Sequence, residues 1–146
     1  YWKKEEETQK ALKGGWMHTG DAGYMDEEGY VYIQDRIKDM IVSGGENIYS
    51  TEVEAVLFDH PNVVDAAVIG VPDDQFGEVV KACIVLKKGS LTSEQEIIDF
   101  CKDKIASYKK PRSIDFIKEV PRNASGKVLK KQLREPYWKG RDRQVS

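Results

Sequence analysis

Apolar and polar positions along the chain alternate in short segments, and each segment's rhythm predicts an element. Residues 4–12 carry Glu, Lys, Gln and Ala, strong helix formers, and Gly14-Gly15 ends that helix. Gly20, Gly23 and Gly29 then punctuate short aromatic runs. Tyr30, Val31, Tyr32 and Ile33 follow an Asp-Glu-Glu-Gly turn as the second strand of a β-hairpin. A second helix starts near Ser50 or Thr51, with Thr51 and Glu54 spaced as a capping box and Val53, Val56 and Leu57 as its apolar face; Pro61 stops it. Residues 63–71 are apolar and β-branched enough for a buried strand, Pro72-Asp73-Asp74 turns the chain, and residues 79–86 form a strand able to pair with the first. Ser93 opens a helix whose positions Ile97, Ile98, Cys101 and Ile105 fall on one face. Residues 114–120 predict a third strand and residues 128–134 a final short helix with a basic face. The sum for residues 38–146 is a compact α+β domain with a three-stranded sheet plus helices.

Residues 35–47 break this regularity. Asp35, Arg36, Lys38 and Asp39 precede the apolar run Met40-Ile41-Val42, and Gly44-Gly45 follows. Two interpretations fit: a joint between two bodies, since paired glycines let a chain swing or approach a ligand closely, and an ordinary turn with an edge strand, its charges neutralising one another.

A hydrophobic share of 40% beside a charged share of 33% suits a globular domain with a real core. The net charge of -2 conceals a basic C-terminal stretch containing Lys127, Lys130, Lys131, Arg134, Lys139, Arg141 and Arg143. Such a run serves either as a solvated helix face or as a surface for nucleic acid or another anion. Cys83 and Cys101 have neither metal-pair nor disulfide-framework spacing and read as free thiols. There is no metal-ligand pattern, no apolar run of about 18 residues and no signal peptide, so a cytoplasmic location is expected. The Asn123-Ala124-Ser125 sequon is discounted on the same ground. Tyr1 stands where Met would open a gene product, and the chain starts inside a helix, as in a piece of a longer protein.

Three constellations can carry chemistry. Thr19-Gly20-Asp21 places a carboxylate after a glycine turn, where it can accept two hydrogen bonds such as the vicinal hydroxyls of a ribose offer; the same tripeptide also makes plain turns. Arg36 is a multiple donor able to reach the same ribose or a phosphate. Residues 121–127, Pro-Arg-Asn-Ala-Ser-Gly-Lys, end a rigid turn in Lys127 before a helix. They fail the Walker pattern, because Pro121 replaces the first Gly and Val128 replaces Ser or Thr. What remains is a lysine able to set a point charge against developing negative charge.

Taken together and in this order, Thr-Gly-Asp, Asp-Arg-Ile-Lys-Asp with Gly-Gly-Glu-Asn, and Pro-Arg-Asn-Ala-Ser-Gly-Lys resemble the adenylate-forming superfamily, specifically AMP-forming acyl-CoA synthetases. Residues 15–21, 71–73, 77–78 and 106–111 resemble that family too. The resemblance implies a two-step ligase. A carboxylic acid, of fatty-acid type, attacks the α-phosphate of ATP with Mg²⁺, and CoA then displaces AMP from the acyl-adenylate. It implies that residues 1–37 are the hairpin end of a large N-terminal domain, the missing partner, and that residues 38–146 are the small mobile C-terminal domain. Asp21 would bind ribose hydroxyls with help from Arg36. Lys38 would be the hinge, Gly45 would line the pantetheine tunnel, and Lys127 would bridge the substrate carboxylate and the ribose or phosphate oxygens. The phosphate-cradling loop and the acyl pocket would lie upstream, leaving the fragment inactive alone and without a tightly bound cofactor. Two alternatives stand beside it: an adenylating domain loading a carrier-protein phosphopantetheine, and a non-catalytic module binding anions or nucleic acid. The Ser107-Tyr108-Lys109-Lys110-Pro111 run reads more like the CoA ligases, and only Tyr137 and Trp138 offer stacking surfaces to a nucleic acid.

Overall fold

The computed structural model describes residues 1–141 and 143. Helix α1 (Glu5–Ala11) is followed by an antiparallel hairpin of β1 (Asp21–Met25) and β2 (Val31–Arg36). Its turn is held by Asp26, whose carboxylate accepts the backbone N–H groups of Glu28 at 3.0 Å and Tyr30 at 2.9 Å. Tyr24 and Tyr32 stack across the strands with ring centroids 5.0 Å apart, but the hairpin presents Tyr30, Val31 and Ile33 to solvent.

The second sheet has five strands: β3 (Ile41–Ser43), β4 (Glu46–Ile48), β5 (Val63–Asp73), β6 (Gly77–Leu86) and β7 (Ser113–Phe116). The three expected strands all form, though the third leaves the ladder after Phe116. β6 is central, with β5 antiparallel along one side and β7 parallel along the other from Lys81 to Ile84. β3 touches the remaining end of β6 at Ser43 and Gly77. The two added strands come from the stretch read as joint or turn. They close through Gly44 and Gly45, with φ of 59° and 89°, the left-handed pair that a tight hairpin turn requires. Ile41 and Ile48, fully buried, explain why this short hairpin folds back rather than remaining extended.

Period-two alternation in β5 and β6 sends Ala66, Val68, Val80, Ala82 and Ile84 to one face and Ile69, Val71, Val79 and Cys83 to the other. Helix α2 (Ser50–Phe58) and helix α3 (Glu94–Lys102) cover the first face with Val53, Leu57, Ile97 and Cys101. Leu133 of helix α4 (Lys130–Arg134), together with Tyr137 beyond it, covers the second. Because Leu57 is fully enclosed, Leu57→Ala leaves a cavity and costs about 2–5 kcal/mol in urea unfolding. A loss well under 1 kcal/mol would mean that this face of the sheet is not packed as described.

The two helix starts turn out differently. Ser93 forms a complete capping box: its hydroxyl accepts the Glu96 N–H at 3.3 Å, and Glu96 accepts the Ser93 N–H at 2.7 Å. The box expected at Thr51 and Glu54 is absent. Thr51 Oγ1 donates instead to the Gln34 carbonyl at 2.6 Å. Glu54 accepts the Val68 N–H at 2.8 Å and pairs with Lys130 at 2.7 Å. Tertiary partners outcompete the local cap.

Candidate functional site

The β1–β2 register sets the first part of the site, since Asp21 opens β1 opposite Arg36 at the end of β2. Arg36 Nε lies 4.0 Å from Asp21 Oδ1, and both side chains keep solvent-facing atoms. Thr19 Oγ1 accepts the Asp21 N–H at 3.2 Å, and Gly20 O accepts the Ile37 N–H at 2.8 Å, which ties the Thr-Gly-Asp turn to the end of the hairpin. Thr19, Gly20, Arg36, Ile37 and Lys38 line a shallow groove of about 360 Å³. Asp21 thus sets a carboxylate on a held backbone beside the Arg36 guanidinium, neither side chain having a hydrogen-bond partner among the described residues, a combination suited to a polyhydroxylated or phosphorylated ligand.

Lys38 occupies a single 3-10 turn, Ile37–Asp39, just beyond β2. Its carbonyl accepts a bond from Arg134 Nη1 at 3.0 Å and another from Arg143 Nη1, while Arg143 Nη2 donates to Met40 O at 2.7 Å. Arg134 also pairs with Asp39 at 2.9 Å and Arg143 with Glu78 at 2.6 Å. Burial, and then the neighbouring Arg143 charge, lower the pKa of the Arg134 guanidinium. The four charges of residues 35–39 therefore do not neutralise one another. Asp35 faces Ser50, Arg36 faces Asp21 and Asp39 faces Arg134.

Gly45 lies at the exposed tip of the β3–β4 turn, where the Gly44 N–H donates to Phe76 O at 2.9 Å. It does not line the Arg36 groove, and neither does Lys127.

Lys127 closes a tight loop. Asn123 Oδ1 accepts the N–H groups of Ser125 at 3.1 Å and Lys127 at 2.9 Å, together with the Ser125 hydroxyl at 2.8 Å. Arg122 braces the loop from outside, through Gly126 O at 3.0 Å and both oxygens of Asp65 on β5 at 2.9 Å. Gly126, at φ 79°, makes the reversal that a side chain would strain. Among the described residues, the exposed Lys127 ammonium has no salt-bridge partner. The loop therefore fixes where the lysine leaves the backbone and leaves its charge unspent.

Sequence reasoning missed a buried polar cluster behind these residues. Asp35 Oδ2 accepts both the N–H of Ser50, at 2.7 Å, and its hydroxyl, at 2.5 Å; Lys130 Nζ donates to that hydroxyl at 2.5 Å and pairs with Glu54. Burial raises the Glu54 pKa against the opposing pull of Lys130. A lysine in a basic run gives no sign in sequence that it points inward. Lys130, Arg134, Arg141 and Arg143 all sit in ion pairs, so much of the basic stretch is neutralised within the fold rather than offered to a polyanion. Among the described residues, no group of three or more His, Cys, Asp and Glu side chains is placed to hold a metal ion, and no helix is long and apolar enough to cross a membrane.

The family described as the AMP-binding enzyme C-terminal domain matches residues 52–127, just over half the chain. The chain belongs to that family. Within this AMP-binding enzyme C-terminal family, it is 50% identical over 92% of its length to a 2-succinylbenzoate–CoA ligase of Bacillus mycoides, of which it spans 28%. It is 47% identical over 94% of its length to a long-chain-fatty-acid–CoA ligase of Mycobacterium tuberculosis, of which it spans 27%. The solved structure of ATP-bound MatB from Rhodopseudomonas palustris overlays 94% of the chain at a TM-score of 0.85 and 40% identity, the chain spanning 27% of that protein. The mixed α+β architecture seen here is that of adenylate-forming enzyme C-terminal domains.

Proposed function

We propose that this chain is the C-terminal part of an ATP-dependent, AMP-forming acid–CoA ligase. The observation that carries the proposal is its 50% identity, across 92% of its residues, to a ligase that joins a carboxylic acid to CoA. In the first step a carboxylate oxygen bonds to the α-phosphorus of ATP and the bond to pyrophosphate breaks. In the second the CoA sulfur bonds to the acyl carbon and AMP leaves. Magnesium accompanies ATP, and the chain's own residues bind and orient.

Asp21 accepts the ribose hydroxyls, with the Arg36 guanidinium beside it. Lys127 places its charge between the attacking carboxylate and the nucleotide oxygens, offsetting negative charge as it develops. Residues 1–37 end the large domain and residues 38–146 are the mobile one, with Lys38 as the pivot between them. Gly45, with no side chain at its turn, lines the passage for the pantetheine arm once the mobile domain has turned. The apolar face of the β1–β2 hairpin, with Met25, Val31 and Ile33 at 67%, 66% and 64% exposure, packs against the rest of the large domain. A cytoplasmic location goes with this proposal.

A fatty acid and 2-succinylbenzoate are the two acids the relatives suggest, and the acyl pocket lies outside this chain. The test is pyrophosphate release by the full-length protein across a panel of carboxylates with ATP and CoA. Release that depends on one class of acid is expected. No release with any acid would overturn the ligase assignment.

A further inference from the structure

Two contacts join residues on opposite sides of Lys38. Asp35 Oδ2 receives the Ser50 N–H and hydroxyl at 2.7 and 2.5 Å, and Thr51 Oγ1 donates to Gln34 O at 2.6 Å. Gln34 and Asp35 precede the pivot, whereas Ser50, Thr51 and Lys130 follow it. We infer that Asp35 and Ser50, backed by Lys130, form a latch that holds one rotational setting of the mobile domain. The inference rests on the proposed pivot at Lys38.

The physical reason is that a bond spanning a pivot survives in only one setting. Rotation about Lys38 carries Ser50, Thr51 and Lys130 away together and leaves Gln34 and Asp35 with the hairpin. The Lys130–Glu54 pair lies wholly on the mobile side and is kept, so opening exposes one carboxylate and one serine rather than a bare lysine. The contact is specific to its setting in a second way. Helix α2 has Tyr49 at its N-cap position with no side-chain cap, and the acceptor for its first N–H comes from Asp35, across the pivot. Ser50 is fully buried and Asp35 is 8% exposed, so water does not share these bonds in the latched setting. Asp35 Oδ1 is committed as well, accepting the Arg36 N–H at 2.7 Å. An asparagine at this position therefore turns its amide either on Ser50 or on the Arg36 N–H, opposing donor to donor whichever way it lies.

The test uses the full-length ligase and measures adenylate formation and thioester formation from preformed adenylate separately, in single turnovers. Ser50→Ala and Asp35→Asn each remove charge-assisted bonds worth about a tenfold shift in a two-state balance. The expected result is a change of about tenfold in the ratio of the two half-reaction rates, with one rate falling and the other rising, in the same direction for both variants. Thr51→Val, at an exposed site where folding is not at risk, moves the ratio the same way by less. The latch is overturned if the half-reactions slow together, if the ratio stays put, or if the variants move it in opposite directions. Lys38→Pro in the same assay separates the two levels: if both half-reactions keep their normal rates, the proposed pivot itself has failed.

Discussion

Lys127→Ala in the proposed full-length ligase is expected to slow formation of the acyl-adenylate by about 10²–10³-fold and to leave thioester formation from preformed adenylate close to its original rate. The split follows from where the charge is useful. While a carboxylate attacks a phosphate, negative charge accumulates on both partners, and a lysine held there stabilises the transition state more than the ground state. Once the adenylate exists, that demand is gone, and in the proposed rotation the lysine's loop leaves the side from which a thiol approaches. The structure supplies the requirements for this role: an ammonium without a salt-bridge partner among the described residues, on a loop braced by Asn123 and by Arg122 against Asp65. Loss of the charge alone should not disturb that bracing, because Asn123 bonds to the backbone of Lys127 and not to its side chain. Equal losses in the two half-reactions would remove Lys127 from the proposed role.

The second large effect is expected from Lys38→Pro, which reduces one half-reaction by roughly fiftyfold while sparing the other. Proline holds φ near -65° and also drives the preceding residue away from helical backbone. Ile37 and Lys38 lie in a 3-10 turn, so both restraints fall on the proposed pivot. The backbone beyond it is already held, because Arg134 and Arg143 grip the Lys38 carbonyl and each is anchored in turn by Asp39 or Glu78. The freedom left for rotation lies on the N-terminal side of that carbonyl, where proline acts. A two-state balance moved from even to about 1:99 gives the expected factor. Normal rates in both half-reactions would show that the chain turns elsewhere.

The elements legible in sequence were those whose signals are local. The capping box at Ser93 and the paired strands 63–71 and 79–86 follow from neighbours a few residues apart, and they stand where the sequence placed them. The β3–β4 hairpin was half legible. Its two glycines announced a turn, but the burial of Ile41 and Ile48 that makes it part of the sheet depends on contacts with distant segments. Thr51 and Glu54 misled for the same reason, since the capping pattern is local while Gln34, Val68 and Lys130 are not. Within the site, the register of β1 and β2 brings Asp21 to Arg36, so residues singled out separately prove to be neighbours. The inward turn of Lys130 and the convergence of two arginines on one carbonyl had no sequence signal, because a basic run reads the same whether its members face water or buried carboxylates.

The central claim, that one small domain turns about Lys38 to serve two reactions, is tested most directly by a distance. Dyes attached through Glu28→Cys and Leu91→Cys report across the proposed pivot; both positions are exposed, Leu91 at 96%. The native Cys83 and Cys101 are buried, and burial, then the Asp115 charge, push the Cys83 thiol up to about 11, so neither competes for label near neutral pH. In the full-length ligase, cleared of reactive thiols upstream, energy transfer should give one distance with ATP and a carboxylic acid and a clearly different one with acyl-adenylate and CoA. A single distance under both conditions, in an enzyme that turns over normally, would contradict the rotation.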